Sequence, residues 1–531
     1  MSWKTIDGEW LPLLVAVILI LFYNQAFFQN VFKIYHLSLA TILFLISLTI
    51  TITCALTLIL VIFNWAPVRK PLLVSIFLVS SVTAYFMDSY NVIIDSSMIR
   101  NISETNFREA TDLFNWRLIL YFVVLGLIPA ILVVKIPIKH ASIKQTVLKK
   151  SKYLVLTIIV LVIQPLVFGK SYASFLREHK AVRYYINPVT PLYSLLKYID
   201  NSLTARTPVV LSEIGKDAVI STADIGRELM ILVVGETARA DHFSLNGYSR
   251  KTNPLLEKEA VISFPNVVSC GTTTAVSVPC MFSLATHKEF NPDSLQENLL
   301  DVLSGAGIHV LWRDNNSDSK GVAIRVPYED FKSSELNTIC DIECRDEGML
   351  VGLQDYINSK DSGDILIVLH QMGNHGPSYY KRYPKSFERF APVCETNELA
   401  KCTTHSVVNA YDNAILYTDY FLSKVITLLK QNCEKFEAGM VYISDHGESL
   451  GENGLYLHGI PYFIAPNSQV NVGAVLWVDH RVPNIDINTV KETKTKAFSH
   501  DHIFHTILGF FEVETSIYDS KLDIFNKYAS R

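Results

Sequence analysis

Five long apolar runs crowd into the first 170 residues, and they constrain the fold more than any other feature of the chain. A membrane-spanning helix needs about 20 predominantly apolar residues, and a series of such runs separated by charged loops predicts a membrane domain. The chain has 531 residues, a mean hydropathy of +0.24 and only 18% charged residues, which agrees with that prediction. The predicted spans are Trp10–Phe28, Leu37–Trp65, Pro71–Met87, Trp116–Val134 and Tyr153–Phe168.

The basic residues indicate which side of the membrane each loop occupies. The connection between the fourth and fifth spans holds six lysines, and the connection between the second and third holds Arg69 and Lys70. Lysine and arginine concentrate in cytoplasmic loops, so these loops and the N-terminus are predicted to be cytoplasmic. With five spans, everything after about Ser171 then lies on the opposite side.

The chain divides by composition into three predicted parts. Residues 1–170 form the membrane domain, 171–215 a bridge that mixes aromatic and basic residues, and 216–531 a domain outside the membrane. The bridge has the amphipathic character of a segment that lies on a membrane surface, although an ordinary linker helix explains it equally well. The net charge of −4 gives no indication of a basic face for nucleic acid.

Cysteine spacing supports a non-cytoplasmic location for the last part. Seven of the eight cysteines lie beyond residue 171. Close pairs of cysteines in a non-cytoplasmic domain predict disulfides, and Cys433 is left over as a buried thiol. The predicted pairs are Cys270 with Cys280, Cys340 with Cys344, and Cys394 with Cys402.

Short apolar runs alternate with helical stretches from about residue 228. Continuous apolar runs of this length, separated by helices, predict a mostly parallel sheet covered by helices on both faces. Ligands of such sheets bind beyond the carboxyl ends of the strands, so the residues that follow each run are the first candidates for a site. The runs are "LMILVVG" (229–235), "IHVLWRD" (308–314), "DILIVLH" (364–370), "GMVYISD" (439–445) and "GAVLWVD" (473–479).

Carboxylates and imidazoles follow three of these runs. Oxygen and imidazole ligands suit zinc, and a catalytic zinc keeps one position for substrate or nucleophile. A single glutamate after a strand is also typical of a turn or a helix cap, but adjacent acid and imidazole in "DHGE" favour an ion. Glu236 follows the first run. His370 ends the third run, and His375 follows it. Asp445 ends the fourth run and is followed by His446, Glu448 and His458.

A second histidine-rich stretch, "SHDHIFHTILGFF" (499–511), has a simpler interpretation. Its histidines, His500, His502 and His505, resemble a metal-binding tract. The pattern is more typical of the start of an amphipathic helix with Ser499 as its cap. These histidines are therefore not predicted as metal ligands.

The stretch "SCGTTTAVSVPCMFS" places three threonines between Cys270 and Cys280. They are either cap and turn residues or the surroundings of a nucleophile in a clamped loop. An alkyl hydroxyl is a poor nucleophile at neutral pH, and a bound metal can activate it. Thr274 stands where a helix begins, and the free N–H groups of a helix N-terminus favour a phosphate. If zinc lies among Glu236, Asp445 and His446, a threonine oxygen is a natural fourth ligand.

With these motifs in view, the chain resembles the membrane-bound lipid A phosphoethanolamine transferases, which include the mobile colistin-resistance enzymes. That family lies within the alkaline phosphatase/sulfatase-like superfamily. The resemblance covers essentially the whole chain. It is carried, in order, by "VVGETARADHFSLNGY", "SCGTTTAVSVPCMFS", "VLWRDNNSDSKGV", "HQMGNHGPSYYKRYP", "AYDNAILYTD" and "YISDHGESLGENGLYLHG".

The resemblance implies a role for each matching residue. Thr274 matches the nucleophile, which leaves Thr272 and Thr273 as loop residues. Residues that bind substrate phosphate or a second metal match His375 and His458, and others around the phosphoethanolamine pocket match Asn316, Lys320 and Glu448. The implied zinc ligands are Glu236, Thr274, Asp445 and His446. The loop between Cys340 and Cys344 is shorter than its counterpart in some relatives, which bears on its disulfide and not on the chemistry.

The implied reaction moves phosphoethanolamine from phosphatidylethanolamine to a phosphate of lipid A through a covalent threonine intermediate. The expected protein is a monomeric, zinc-dependent enzyme of a bacterial inner membrane with its catalytic domain in the periplasm and one catalytic zinc, or two. A relative that uses another acceptor or a phosphoglycerol donor is the nearest alternative. A sulfatase would carry a cysteine or serine in place of Thr274, and a membrane sensor would not need that hydroxyl.

Overall fold

The computed structural model describes residues 5–35, 38–105, 107–139, 142–204, 211–221, 226–483 and 485–525. The chain forms two compact units. The first consists of Met1–Ile99 and Phe114–Ile199, and the second of Arg100–Leu113 and Asp200–Arg531. Leu37, where the second span is predicted to begin, and residues 205–210 of the predicted bridge lie outside the described residues.

Long apolar helices make up most of the first unit. A short parallel strand pair, β1 (Ile6–Asp7) and β2 (Ile138–Lys139), joins the chain before the first span to the connection between the fourth and fifth spans. A π-helical turn, Phe122–Leu127, connects the seventh and eighth helices. The helices of residues 1–204 are α1 (Leu11–Phe22), α2 (Gln25–Ile34), α3 (Leu39–Ile62), α4 (Ala66–Tyr90), α5 (Ser96–Glu104), α6 (Phe107–Leu113), α7 (Trp116–Tyr121), α8 (Ile128–Lys135), α9 (Ile143–Glu178) and α10 (Val189–Thr204), of which α5, α6 and α10 lie wholly or partly in the second unit.

Among the described residues, four helical stretches are long and apolar enough to cross a membrane. The number is five if one bent pair of helices counts as a single span. The pair is α1 and α2, which bend by 60° within the first predicted span. The helix of the last predicted span is longer than predicted, because α9 continues to Glu178. One residue within it, Phe168, has non-helical backbone angles (φ −113°, ψ 27°).

Asn187 is a polar centre among the helices of the first unit. Its side chain is fully buried and donates to the carbonyl groups of Tyr23 (3.2 Å) and Ser80 (2.9 Å). The hydroxyl of Thr83 donates to Asn187 Oδ1 at 3.0 Å, and Asn24 exchanges two hydrogen bonds with the Asn187 backbone. Asn187 thereby connects the chain after α9 to α1 and α4.

Within the described residues, thirteen further strands belong to the second unit, and seven of them form its central sheet. The strands are β3 (Val219–Ile220), β4 (Glu228–Gly235), β5 (Ile262–Phe264), β6 (Val267–Val268), β7 (His309–Asp314), β8 (Tyr328–Asp330), β9 (Ile365–His370), β10 (Glu437–Ser444), β11 (Ser449–Leu450), β12 (Tyr456–Leu457), β13 (Ala474–Val478), β14 (Phe498–Ser499) and β15 (Val513–Glu514). The order in the sheet is β5-β13-β10-β4-β9-β7-β8. The central strands β10, β4, β9 and β7 are mutually parallel, as predicted.

Helices cover this sheet. They are α11 (Thr274–Met281), α12 (Leu299–Gly305), α13 (Leu353–Asn358), α14 (Thr404–Asn432), α15 (Asn467–Val470), α16 (Ile487–Thr493) and α17 (Asp501–Phe510). The longest of them is α14, and most of its side chains are buried. The central strands are buried along almost their whole length, which is why they appear in the sequence as continuous apolar runs.

One strand departs from the predicted parallel arrangement. The run "GAVLWVD" forms β13, which pairs with β10 in antiparallel fashion, with Ile443 opposite Ala474. The chain enters β13 at the edge where β10 ends, because the loop that follows β10 stays on that side of the sheet. The composition of β13 does not indicate the direction of the strand, since a buried strand is apolar in either orientation.

Disulfides join all three predicted cysteine pairs. Cys270 is bonded to Cys280, Cys340 to Cys344, and Cys394 to Cys402. Among the described residues, Cys54 and the buried Cys433 are free.

The three disulfides close loops of different kinds. Cys340 and Cys344 also form an isolated antiparallel bridge, so this bond closes a tight turn. The bond from Cys394 to Cys402 closes the loop that leads into α14. The bond from Cys270 to Cys280 closes the loop before α11 onto the last turn of that helix, so both ends of the three-threonine stretch are held covalently.

We expect Asn187→Ala to destabilise the protein, because it leaves buried polar partners without their hydrogen bonds, at about 1–3 kcal/mol for each buried group left unpaired. Thermal unfolding of the purified protein in detergent measures the change. Asn358→Ala is the control, since Asn358 is exposed and accepts from Gln354 on α13. Equal unfolding midpoints for the two variants would contradict a stabilising role for Asn187.

Candidate active site and metal centre

Neighbouring parallel strands deliver the two acidic residues to one edge of the sheet. Ser444, the last residue of β10, lies opposite Gly235, the last residue of β4. The residues that follow, Asp445 and Glu236, therefore emerge side by side and are fully buried. The glycine of "DHGE" has a packing reason, because a Cβ atom on Gly447 would lie 2.2 Å from the backbone oxygen of Ser468.

Glu236, Asp445 and His446 form a compact group of ligand-type atoms. One such atom from each lies within 4.8 Å of the others. His446 Nε2 lies 3.4 Å from Glu236 Oε1 and 3.3 Å from Asp445 Oδ2. Both of these oxygens are buried and have no hydrogen-bond partner among the described residues.

Hydrogen bonds fix the orientation of each of these side chains. Asp445 Oδ1 accepts from the N–H groups of Thr237 (3.2 Å) and His446 (2.7 Å). His446 Nδ1 lies 2.9 Å from the carbonyl oxygen of Gly447, to which it donates as N–H. Its Nε2 lone pair then faces the two unpartnered carboxylate oxygens. The His446 Nε2 lone pair and the two carboxylate oxygens are all acceptors, so a cation is needed to bind them together. A neutral imidazole whose other nitrogen donates to a carbonyl is a common metal-ligand arrangement.

The charges of the site point the same way. Burial and the nearby charge of Asp445 raise the pKa of Glu236, and burial lowers the pKa of His446. Burying carboxylates together is costly without a compensating positive charge. A divalent cation would stabilise both in their ionised form, so the residues fit a zinc ion.

Thr274 lies against this group at the first residue of α11. Its hydroxyl donates to Glu236 Oε2 at 3.1 Å, and its oxygen is 3.4 Å from His446 Nε2. The other two threonines have different surroundings. Thr272 donates to the Ile460 carbonyl at 2.8 Å, while Thr273 immediately precedes the helix.

The loop after β7 supports Glu236 from the other side. Asn316 Nδ2 donates to Glu236 Oε2 at 2.8 Å and to the Gln371 carbonyl at 2.6 Å. Lys320 lies further along this loop in a left-handed conformation (φ 52°), and its ammonium group donates to the carbonyls of Ser317 (2.9 Å) and Glu104 (3.1 Å). Asn316 thus contacts the candidate metal group directly.

His458 and Glu448 are buried beside the same group, and His375 is half-buried there. The rings of His458 and His446 lie 4.3 Å apart, and those of His458 and His375 lie 5.6 Å apart. His458 Nδ1 is 3.3 Å from Glu448 Oε2. Burial lowers the pKa of both His375 and His458, the latter to about 4, and raises that of Glu448 to about 8.

The sequence interpretation missed the contribution of residues 100–113. Glu109 in α6 is buried, which raises the pKa of its carboxyl, while Lys320, Ser317 and His458 act to lower it. Asp112 accepts from Lys381 and Arg382, and Arg382 Nε donates to the His375 carbonyl at 2.7 Å. In the sequence, Glu109 and Asp112 lie between two predicted membrane spans, and no local motif distinguishes them.

Two expectations change with the geometry. Among the described residues, His370 has no hydrogen bond to Glu236, Asp445 or His446. Its Nδ1 instead lies 2.8 Å from a carboxylate oxygen of the buried Asp314. Ser499 does not cap a helix. It lies in β14, which pairs with β6, and α17 begins at Asp501 after His500. The local sequence suits a capped helix, but strand pairing at residues 498–499 prevails over it.

The fold and the ordered strand-end ligands define a sulfatase-like α/β domain attached to membrane helices. Residues 228–513 match the Sulfatase family, and residues 52–203 match the family described as phosphoethanolamine transferase EptA/EptB. The chain belongs to the phosphoethanolamine transferase family. The resemblance and the predicted fold class, apolar helices followed by a mostly parallel α/β domain, are thereby confirmed.

Individual relatives match over nearly the whole length. The phosphatidylethanolamine transferase Mcr-2 of Escherichia coli is 43% identical over 516 residues, which cover 94% of each chain. The phosphoethanolamine transferase EptA of Escherichia coli K12 is 39% identical over 97% of this chain and 96% of that one. The integral membrane protein lipooligosaccharide phosphoethanolamine transferase A (EptA) from Neisseria meningitidis matches with a TM-score of 0.94, at 32% identity, over 99% of this chain and 100% of that chain.

We expect Glu236→Gln to weaken zinc binding by more than the roughly 10- to 100-fold that loss of an outer-shell partner costs, because it removes one of two buried charges that face the ion. Competition with a chromophoric chelator gives the zinc affinity of the purified protein. Glu289→Gln is the control, since Glu289 is exposed and accepts a hydrogen bond of 2.9 Å from the Thr286 side chain in its own loop. Equal affinity in wild type and Glu236→Gln would exclude this site as the zinc site.

Proposed function

We propose that this protein transfers phosphoethanolamine from phosphatidylethanolamine to a phosphate group of lipid A, with Thr274 as the nucleophile. The observation that carries the proposal is the position of the Thr274 hydroxyl, 3.1 Å from a carboxylate of the candidate metal group and at the N-terminus of α11. We propose further that the second unit lies in the periplasm and that the protein acts as a monomer in the inner membrane.

Glu236, Asp445 and His446 would hold the zinc ion, with Thr274 as the fourth ligand. Bound zinc would lower the pKa of the threonine hydroxyl and offset negative charge on the phosphoryl group. The chain's own part is to fix these ligands and to keep the surroundings dry. All four side chains are nearly or fully buried, which strengthens every electrostatic interaction among them.

In the first half-reaction, Thr274 Oγ forms a bond to the phosphorus of phosphatidylethanolamine while the bond to the diacylglycerol oxygen breaks. The threonine proton passes to Glu236, whose Oε2 already accepts that hydrogen bond. The diacylglycerol oxygen takes up a proton from solvent as it leaves, while Glu236 keeps the threonine proton. The product is phosphoethanolamine esterified to Thr274.

In the second half-reaction, a phosphate oxygen of lipid A bonds to the same phosphorus, and the bond to Thr274 Oγ breaks. Glu236 returns its proton to Thr274 Oγ, which brings the enzyme back to its starting state. Each half-reaction places extra charge on the non-bridging oxygens, and phosphoryl transfer depends on groups that stabilise this charge. The first N–H groups of α11 and the Lys320 ammonium group serve this purpose.

The remaining candidate residues suit recognition of the phosphoethanolamine head group. His375 and His458 would bind its phosphate or hold a second zinc ion, and Asn316 and Glu448 would support them. Glu109 adds a carboxylate on the side of the pocket near Lys320 and His458. A negative charge there complements the ethanolamine ammonium group and favours phosphoethanolamine over phosphoglycerol, whose glycerol end is uncharged.

The membrane helices would hold the protein in the membrane, whose lipids include both the donor and the acceptor. Addition of an ammonium group reduces the negative charge of lipid A. Cationic peptides such as polymyxins would then bind modified lipid A less tightly.

We expect cells that produce the wild type to carry lipid A with added phosphoethanolamine, and cells that produce Thr274→Ala to carry none, because the substitution removes the attacking oxygen. Thr274→Ser should retain part of the activity, since it keeps that oxygen. Mass spectrometry of extracted lipid A measures all three. Modification by Thr274→Ala would overturn the nucleophile, and absence of modification by well-folded wild type would overturn the acceptor.

A second prediction concerns the donor. We expect Glu109→Gln to lower kcat/KM for phosphatidylethanolamine by about 10-fold or more and to leave turnover of phosphatidylglycerol at its low wild-type level, because the lost charge matters only for an ammonium group. Assays with purified lipids in detergent compare the donors. Glu257→Gln is the control, since Glu257 is exposed and pairs with Lys251 at 2.7 Å in the loop before β5. An equal loss in both variants would contradict the role of Glu109.

A further inference from the structure

His500 belongs to the histidine-rich stretch that the proposed reaction does not use, yet it is buried between β14 and α17 with 1% of its surface exposed. Both ring nitrogens make hydrogen bonds to backbone groups. Nδ1 accepts from the N–H of Cys270 at 3.2 Å, and Nε2 lies 2.9 Å from the carbonyl oxygen of Ser444. A ring that accepts at one nitrogen and donates at the other is neutral and has one defined tautomer. Burial also lowers its pKa to about 4.

The two backbone partners of His500 stand at the bases of two different functional loops. Cys270 begins the disulfide-closed loop that ends at Thr274. Ser444 immediately precedes Asp445 and His446. His500 therefore spans the gap between the loop of the nucleophile and the loop of the candidate metal ligands.

Ser444 extends this connection to the third loop. Its hydroxyl accepts from the N–H of Ala238 at 2.7 Å and donates to the carbonyl of His446 at 3.0 Å. Ala238 follows Glu236 by two positions. One continuous set of hydrogen bonds thus joins Cys270, His500, Ser444 and Ala238, and it reaches all three chain segments that supply the nucleophile and the candidate metal ligands.

The backbone holds His500 itself in place independently of this set. β14 pairs with β6 in parallel, with Phe498 opposite Val267 and Ser499 opposite Val268. The N–H of His500 then donates to the Val268 carbonyl at 3.1 Å. Since Cys270 follows β6 by two residues, the imidazole lies directly beside the start of the nucleophile loop.

We propose that His500 is a positioning residue, which holds the Thr274 loop at the correct distance from the Asp445 and His446 loop. This inference rests on the proposed function, because it assigns His500 the task of placing the nucleophile beside the metal ligands. It does not require that His500 touch substrate or metal. A misplacement of reacting groups by about 1 Å can cost about 100-fold in rate.

The test compares His500→Leu, which removes both hydrogen bonds, with His500→Gln, whose amide offers an acceptor and a donor. His505→Gln is the matched control. His505 is a buried histidine of α17 whose Nδ1 accepts from the Asp519 N–H at 3.1 Å, and Asp519 lies outside both functional loops. Circular dichroism and thermal unfolding identify variants that are folded.

The first measurement is the visible absorption of full-length protein reconstituted with Co²⁺ in place of zinc, which reports the geometry of the ligands without any turnover. We expect a changed spectrum for His500→Leu, a smaller but measurable change for His500→Gln, whose amide does not reproduce the geometry of the ring, and no change for His505→Gln. A wild-type spectrum in folded His500→Leu would overturn the proposal. If His500→Leu does not fold, the same comparison is made between His500→Gln and His505→Gln, and identical spectra would overturn it.

The second measurement is steady-state transfer to lipid A. We expect kcat of His500→Leu to fall by about 100-fold with KM for phosphatidylethanolamine nearly unchanged, since the bound donor would meet a displaced nucleophile. An unchanged kcat would overturn the proposal. If the wild type itself transfers nothing, the proposed function fails, whereas the Co²⁺ spectra still decide whether His500 orders the metal site.

Discussion

The convergence of two buried carboxylates on one imidazole lone pair is the interaction on which the rest of the catalytic unit depends. Glu236 and Asp445 emerge side by side because the ends of β4 and β10 are in register. Their mutual repulsion is unfavourable in a dry interior, so the fold must hold them there by many backbone hydrogen bonds. Three further interactions hold the adjoining loops in place. They are the disulfide between Cys270 and Cys280, the hydrogen bond from Thr274 to Glu236, and the hydrogen bond from Asn316 to Glu236.

This requirement explains why hydrogen bonds to the backbone dominate around the site. Ser444, His500 and Asp445 all direct polar atoms to backbone groups of neighbouring loops. Asp346 does the same for the loop after β9, where it accepts from the N–H groups of Met372 and Gly373. A metal site built in this way has its geometry defined by the chain before an ion enters, and the ion supplies charge compensation.

Much of the architecture can be predicted from the sequence because its signals are local. Apolar runs of sufficient length identify the membrane helices, and buried parallel strands are continuous apolar segments whose last residues face the ligand edge. Glu236, Asp445 and His446 are accessible to this reasoning for that reason, and the disulfides are accessible because each joins cysteines close in sequence, such as Cys340 with Cys344. The direction of β13, by contrast, depends on which side of the sheet the chain returns, and its five buried residues look alike in both directions.

The features that escape prediction depend on contacts between distant parts of the chain. Glu109 and Asp112 lie in a short polar segment between apolar runs, where charged residues are ordinary. Only the fold brings them to Lys320 and Arg382. His500 resembles part of a capped helix because histidine and serine suit such a position, and its two backbone partners are 230 and 56 residues away.

The membership of residues 100–113 in the catalytic unit has a consequence for how this enzyme can be divided. A fragment that begins after the last membrane helix would contain Thr274 and the candidate metal ligands, and yet would lack Glu109 and Asp112. In it, Arg382 would lose one of its two carboxylate partners. Such a fragment carries an incomplete candidate site, and inhibitors selected against it would meet a differently charged surface in the intact protein.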